Sequence, residues 1–481
     1  MSASRTLRLG SRASLLAMIQ TRKVADALRA AHPELVTEIV TLQTRGDADN
    51  KTPLTETHDK DFFSAELDQA LLEGTVDICV HSYKDLDMQR PAGIAQEAIP
   101  PREHPADVVL FQPEIEDRLA QGKTLRIGSC SERRRRNVAD FLHKALPRQT
   151  TLPKFEFVPL RGTVPERIDQ IAPDAAQQLD AVIVALAGIE RLWNDPAGRR
   201  RIAPALEASK LMVLPLSACP AAPGQGALAV ECRADDTVTR QLLGAIHDAT
   251  TAKLLDTEAQ LVEEIAAAHD AMPAAIGSTA WPDDTLGLVA RARWRADPEN
   301  AVEMTRQASQ PARPATAQPW TAPPVRRAAQ ALSAAVPEHG PVFVAHWRAF
   351  ESQRPSAMNR VWTSGVMSWE KLAARGIWVE GCTDHLGFEQ MHEWHRVNVL
   401  RLPPLSDWTA VTHAAGVASW AGSGVGQVIA TYALETPQQA PEPSVAQALA
   451  DSTHIFWRTP QQYRQYGHLT RGDAHHACGP G

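Results

Sequence analysis

LRLGSRASLLAMIQT, residues 7–21, holds the change of period that decides the fold. Leu7–Leu9 is a short apolar strand. Ser11-Arg12-Ala13-Ser14 then opens a helix that runs to about Arg29, with Leu15, Met18, Ile19, Val24 and Leu28 recurring at helical spacing. The alternation continues through a strand at Glu38–Leu42, a helix at Phe62–Leu72 and a strand at Ile78–Val80. A second series begins at Leu125–Ile127, with strands near Phe155–Val158 and Ala181–Val184. Strands spaced by helices imply parallel sheets covered on both faces. A long helical pattern follows between Thr250 and Ala268, then a strand–turn–strand pair over Ala280–Arg295 around Pro282-Asp283-Asp284. No internal repeat of fixed period is evident in the residues.

At 481 residues the chain exceeds a single core, so about three or four domains are expected. Hydrophobic residues make up 44% and charged residues 22%, as in an ordinary soluble globular chain. A net charge of −7 argues against general nucleic-acid binding, which needs a basic face. No apolar run approaches the roughly 18 residues that span a bilayer, so no membrane association is expected. The opening MSASRTLRLGSRAS lacks the apolar core of an export signal, and a cytoplasmic location is the expectation. Cysteines 79, 130, 219, 232, 382 and 478 form no CxxC pair and read as free thiols. His475, His476 and Cys478 offer no evident fourth ligand, so no metal is expected.

Three segments place cationic side chains and helix N-termini at the ends of strands: Gly10–Ser14, Gly128–Arg136 and Leu160–Arg167. In an open α/β sheet, ligands bind beyond the carboxyl ends of the strands. Arginine grips carboxylates through a planar fork that stays charged. One arginine run alone reads as a solvated helix face. Three strand-end segments together imply a ligand with several carboxylates. A fourth, Asp77–Asp85 (DICVHSYKD), brings Ser82, Lys84 and Asp85 to the same rim. A carboxylate there can accept from a ligand N–H and stabilise a cation developing beside it; taken alone, a Lys-Asp pair is a surface ion pair.

In this order the segments resemble the porphobilinogen deaminase (hydroxymethylbilane synthase) family over about residues 5–280. LRLGSRASLLAMIQT resembles the family's opening, and TRGD (Thr44–Asp47) precedes its lid loop. KDFFSAEL (Lys60–Leu67) is similar to KGLFxKEL, DICVHSYKD to HSxKD, and GSCSERRR to GTSSLRR. LRGTVPER is similar to LRGNVxTR, and DAVIVALAGIERL (Asp180–Leu192) to DAIILAxAGLxRL. Pro223–Leu228 with Glu231-Cys232-Arg233 reproduces PGQGAL and its ExR tail.

The resemblance implies an α/β architecture of two periplasmic-binding-protein-like domains flanking a cleft, with a small α+β third domain. Residues 1–105 with 205–233 are expected to form the first domain, 106–204 the second and 234–306 the third. It implies a transferase of heme and tetrapyrrole biosynthesis. Four porphobilinogens are joined head to tail with loss of ammonia, on a dipyrromethane cofactor held by thioether to a cysteine, giving a linear tetrapyrrole. Carried over, Asp85 is the catalytic carboxylate. Arg12, Ser14, Lys84, Ser131, Arg133, Arg134, Arg161 and Arg167 bind acetate and propionate groups, and Lys60 lies over the cleft.

The family's GGCxxPIG segment is here Asp270-Ala271-Met272-Pro273-Ala274-Ala275-Ile276-Gly277, which puts Met272 at the cysteine position. A thioether side chain has no S–H to add to the primer. The family's ER pair is Glu258-Ala259, its GGKG is His58-Asp59-Lys60-Asp61, and the Asn of LRGN is Thr163. Three accounts stay open: a primer held without a covalent bond, attachment to Cys130 or Cys219, or a pyrrole- or bilane-binding homologue without turnover.

Residues 307–324 (QASQPARPATAQPWTAPP) have the composition of a semi-extended linker. From about 325 to 481 a separate α/β domain is expected, with a strand at Val342–Ala345, Thr363-Ser364-Gly365 before a helix over Met367–Arg375, and CGPG at the end. These features resemble uroporphyrinogen-III synthase, although Thr363–Gly365 also reads as a plain helix cap. That resemblance implies cyclisation of the linear product here, or by a partner enzyme of the pathway.

Overall fold

In the first sheet the opening strand, β1 (Thr6–Arg12), runs beyond its expected end and keeps Gly10, Ser11 and Arg12 within the sheet. Its helix, Leu15–Ala31, starts behind an N-cap in which Ser14 Oγ accepts from the Ala17 amide at 3.3 Å. The computed structural model describes residues 6–44, 64–87, 89–148, 152–283, 287–297, 300–307, 319–321, 328–384, 386–435, 443–457 and 460–478. They fall into two units, residues 1–308 with 374–376 and 397–401, and residues 309–373, 377–396 and 402–481. Lys60 and most of the TRGD segment lie outside the described residues.

The first unit holds two five-stranded sheets. One contains β1, β2 (Val36–Leu42), β3 (Ile78–Ser82), β4 (Ile94–Ala98) and a late strand, β10 (Leu228–Arg233), in the order β2-β1-β3-β10-β4. The other contains β5 (Asp107–Phe111), β6 (Leu125–Gly128), β7 (Phe155–Val158), β8 (Ala181–Ala185) and β9 (Lys210–Val213), in the order β7-β6-β8-β5-β9. The expected all-parallel sheets are in fact mixed. Pairs β1–β2, β1–β3, β6–β7 and β6–β8 are parallel, whereas β10 and β5 run antiparallel to their neighbours. Those two strands belong to the crossings: the chain leaves the first sheet after β4 and returns only with β10. Both sheets therefore share one topology, a repeat that the residues do not show. The return also comes later than expected, because Lys210–Val213 still pairs with β5 in the second sheet.

Alternation sets the cores. Leu7, Leu9, Ile78, Val80 and Val230 are at most 5% exposed and pack with Val24 and Leu28 of the first helix. Each such side chain contributes roughly 1.5–3 kcal/mol by leaving water. The Pro223–Leu228 turn needs its glycines: Gly224 and Gly226 have φ of +72° and +89°. A Cβ would stand 2.2 Å from the Tyr83 ring at Gly224 and 2.3 Å from the Glu103 carbonyl at Gly226.

The third part packs the helix Ala249–His269 on an antiparallel sheet of β11 (Gly277–Asp283), β12 (Gly287–Arg295) and β13 (Ala301–Gln307). In the second unit, part of the expected linker is ordered: β14 (Pro319–Thr321) pairs in parallel with β21 (His454–Trp457), which pairs with β22 (His475–Cys478). The main sheet comprises β15 (Ala329–Ala331), β16 (Gly340–Val344), β17 (Asn359–Thr363), β18 (Gly381–Cys382), β19 (Thr409–His413) and β20 (Gln427–Leu434), ordered β15-β20-β19-β16-β17-β18. Trp362, Trp369, Trp408 and Phe343 are buried in this unit. Ser364 Oγ donates to the Ala345 carbonyl at 2.7 Å, and Thr363 Oγ1 to that of Gly365 at 3.1 Å. No helix among the described residues is long and apolar enough to cross a membrane.

Candidate active site

Past Ser82 the chain makes a single 3-10 turn, Tyr83–Asp85, which carries Lys84 and Asp85 beyond the carboxyl end of β3. The turn is tied down at its front. The Tyr83 amide donates to the Ala227 carbonyl at 3.1 Å, and Lys84 Nζ donates to Gln225 Oε1 at 3.1 Å. Asp85 itself is exposed.

From the second sheet, Ser131 caps the helix Glu132–Ala145 by accepting from the Arg134 amide at 3.4 Å. The Leu160–Arg167 segment turns through Gly162, at φ +100°, into the helix Val164–Asp169. Thr163 caps it in a reciprocal box with Glu166, so the family's Asn is replaced by another good capping residue. Arg167 Nε donates to the Gly162 carbonyl at 2.8 Å. Burial lowers the Arg167 pKa, Arg134 and Arg161 act in the same direction, and Cys130 and Asp85 oppose them. Lys84 is surrounded by protein although solvent reaches it. Desolvation lowers its pKa to about 8 against the pull of Asp85, with Arg134 and Arg133 adding to the lowering and Asp107 opposing it. Water at the rim screens part of this effect. Lys84 and Asp85 of the first sheet thus share one electrostatic neighbourhood with arginines of the second. Arg12 and Ser14 stand at the end of β1, beside β3.

Arg133 and Arg134 depart from the expectation of direct carboxylate ligands. They are 2% and 7% exposed and turn inward onto Asp107, the first residue of β5. Arg133 Nη2 donates to Asp107 Oδ2 at 2.7 Å and Nη1 to the Pro220 carbonyl at 2.8 Å. Arg134 Nη2 and Nε reach Asp107 Oδ1 at 2.6 and 3.1 Å. Burial alone would raise the Asp107 pKa, but the two guanidinium groups outweigh it and hold the carboxyl well below the usual range. Gln225 Nε2 also donates to Asp107 Oδ1, at 2.9 Å, and so links this hub to Lys84. The sequence reading missed Asp107, whose one signal is a charge heading an otherwise apolar strand, DVVLF.

Glu258 is likewise buried. It accepts from Arg102 Nη1 at 2.6 Å, the Gly224 amide at 2.8 Å and the Ala280 amide at 2.7 Å, sewing the third part to the PGQG turn. The long helix ends at Asp270 with φ +49°, in the left-handed region that glycine occupies without cost. Met272 follows, 66% exposed. Its loop is fastened downstream, where the Ser278 amide donates to the Ala221 carbonyl at 2.9 Å.

Thioether anchoring of a dipyrromethane fits neither Met272 nor Cys219. Met272 has no S–H. Cys219 is fully buried, and burial pushes its thiol pKa up, so it is no alternative anchor. Cys130 is half-buried, with its sulfur 3.0 Å from both the amide and the carbonyl of Leu160. A polycarboxylate does fit: Lys84 and Arg167 each feel the Asp85 charge, and Arg161 acts on Arg167 in turn.

Two α/β halves of like strand order, with Lys84 and Asp85 past a strand end of one and Arg161 and Arg167 past a strand end of the other, define a protein of two paired α/β sheets with charged groups at the strand ends. The comparisons make this specific. The family model described as "Porphobilinogen deaminase, dipyromethane cofactor binding domain" matches residues 7–241. A porphobilinogen deaminase of Syntrophus aciditrophicus (strain SB) is 35% identical over 254 residues, covering 52% of this chain and 74% of that one. One from Streptococcus sanguinis (strain SK36) is 34% identical over 264 residues, covering 54% and 78%. Among solved structures, the periplasmic sulfonate-binding protein SsuA from Methylobacillus flagellatus KT aligns over 55% of this chain and 70% of that chain, at 13% identity and a TM-score of 0.27. This chain belongs to the porphobilinogen deaminase family.

Proposed function

We propose that the chain acts in the cytoplasm as a hydroxymethylbilane synthase and that Asp85 is its catalytic carboxylate. The supporting observation is that Lys84 beside the first sheet and Arg167 beside the second both feel the charge of Asp85, with Arg161 acting on Arg167. Porphobilinogen loses ammonia as its C–N bond breaks, leaving a methylene-pyrrolenine cation. The free α-carbon of a terminal pyrrole attacks that cation, a C–C bond forms and the α-proton leaves. Asp85 offers negative charge where the cation develops and accepts from the ring N–H, a contribution of electrostatic preorganisation. Lys84, Arg161 and Arg167 hold side-chain carboxylates, with Arg12, Ser14 and Ser131 completing the rim. Arg133 and Arg134 act at one remove, by holding the wall through Asp107.

With no thiol at position 272, the primer is held by charge alone. Purified chain therefore has the intact mass of its sequence and releases ammonia from porphobilinogen. A mass increase of dipyrromethane size overturns the non-covalent reading. Absence of ammonia release under any primer overturns the enzyme reading in favour of a binder.

The Lys84 ammonium is the form that grips a carboxylate, and it is lost as pH rises through about 8. The KM for porphobilinogen is expected to climb above that pH. Lys84→Met flattens the climb while raising KM at neutral pH; an unchanged profile removes Lys84 from the binding set.

The second unit supports a further reading as a uroporphyrinogen-III synthase-like domain. Its parallel strands diverge between β16 and β19, with Ser364 near that point, where ligands favour such sheets. Formation of cyclic product from the linear tetrapyrrole by the full chain tests it; linear product alone assigns cyclisation to a partner enzyme.

A further inference from the structure

Arg90 belongs to no motif, yet it closes the loop on which Asp85 rides. The chain leaves β3 at Ser82, carries Lys84 and Asp85 on one turn, and five residues after Asp85 reaches Arg90. Arg90 Nε donates to Glu231 Oε1 at 2.7 Å and Nη2 to Glu231 Oε2 at 2.9 Å; Nη2 also meets Asp68 Oδ1. Glu231 is fully buried on β10, where the register with β4 shifts between Val230 and Glu231 because β4 carries the extra residue, Glu97. Asp68 is 5% exposed, on the helix Ala65–Leu72. His81, one residue before the end of β3, brings Nε2 to 3.3 Å from Glu231 Oε2.

Asp68, His81 and Glu231 have the make-up of a metal site, the one such group of three among the described residues. The guanidinium already bonds both carboxylates, however, and supplies the positive charge that an ion would bring. Burial works against the charge on Arg90, but Glu231 and Asp68 outweigh it and raise its pKa. The Asp85 loop is thus fastened at both ends, by Ala227 and Gln225 at the front and by this cluster at the return.

We propose that Arg90 is a positioning residue: by forking across Glu231 and Asp68 it fixes the return of the 82–90 loop and sets where the Asp85 carboxylate stands. The proposal rests on Asp85 being the catalytic carboxylate. A planar fork holds direction as well as charge, which a lysine does not. A displacement of about 1 Å at a reacting group costs on the order of 100-fold in rate.

The test is a double-mutant comparison with kcat and KM for porphobilinogen measured on the full chain. Arg90→Met is expected to lower kcat by about 10- to 100-fold with KM within about twofold. In an Asp85→Glu background, where the acid is already displaced, the same change costs far less. A kcat loss of equal factor in both backgrounds overturns the proposal, as does an effect confined to KM or no effect at all. Should Arg90→Met not fold, Arg90→Lys carries the same comparison, because it keeps the charge and loses the fork. Parental rates in Asp85→Glu and Asp85→Asn would instead overturn the catalytic reading of Asp85, an outcome separate from additivity.

Discussion

Asp85→Asn is expected to lower ammonia release from porphobilinogen by about 100- to 1,000-fold while the protein keeps its thermal midpoint. The substitution preserves shape and removes only charge. Asp85 is exposed at the end of a one-turn helix, and its carboxylate appears in none of the hydrogen bonds or ion pairs described above, so the fold asks little of it. Removing one preorganised group from the place where charge develops typically costs that factor. Affinity for the substrate's carboxylates, carried by Lys84, Arg161 and Arg167, changes little, so the loss falls on kcat. Full activity in Asp85→Asn would falsify the assignment.

Asp107→Leu produces the opposite signature, a loss of stability that precedes any loss of chemistry. Two arginines and Gln225 converge on this buried carboxylate. Taking it away leaves two guanidinium groups in a dry wall without their counter-charge, which costs about 3–5 kcal/mol. The thermal midpoint should fall by roughly 10 °C. The pH dependence has a fixed sign. A carboxyl whose folded pKa is depressed stabilises the protein above its unfolded value of about 4, and that contribution fades as pH falls through the folded value. The parent should therefore lose stability steadily on acidification below about pH 4, and the variant should lose less. Equal midpoints for parent and variant at neutral pH overturn the hub.

Local chemistry was readable from the residues. Ser14 and Ser131 cap the helices they precede, as strand-to-helix segments of this kind lead one to expect. Direction across the fold was not. Arg133–Arg136 reads as one cationic run, but a helix turns successive residues by about 100°, so the run divides. Arg133 and Arg134 fall on the face of Val138 and Phe141, Arg135 is exposed, and Arg136 bonds Glu132 and the Arg295 carbonyl. The apolar positions at 138, 141, 142 and 145 already marked that face. Asp107 and Arg90 carried no such mark, because each is defined by partners at least 22 residues away in sequence. The shared strand order of the two sheets leaves no proof in the residues for the same reason: topology is preserved where side chains are not.

The interleaving of β10 into the first sheet sets a timetable for synthesis. When Ala98 leaves the ribosome, β3 and β4 lack the strand that will lie between them, and it arrives only at Leu228. At about 5–20 residues per second the gap lasts on the order of ten seconds. During that interval the second sheet can close while the nascent first one carries a bare ribbon edge on each side of the vacancy, an invitation to foreign strands.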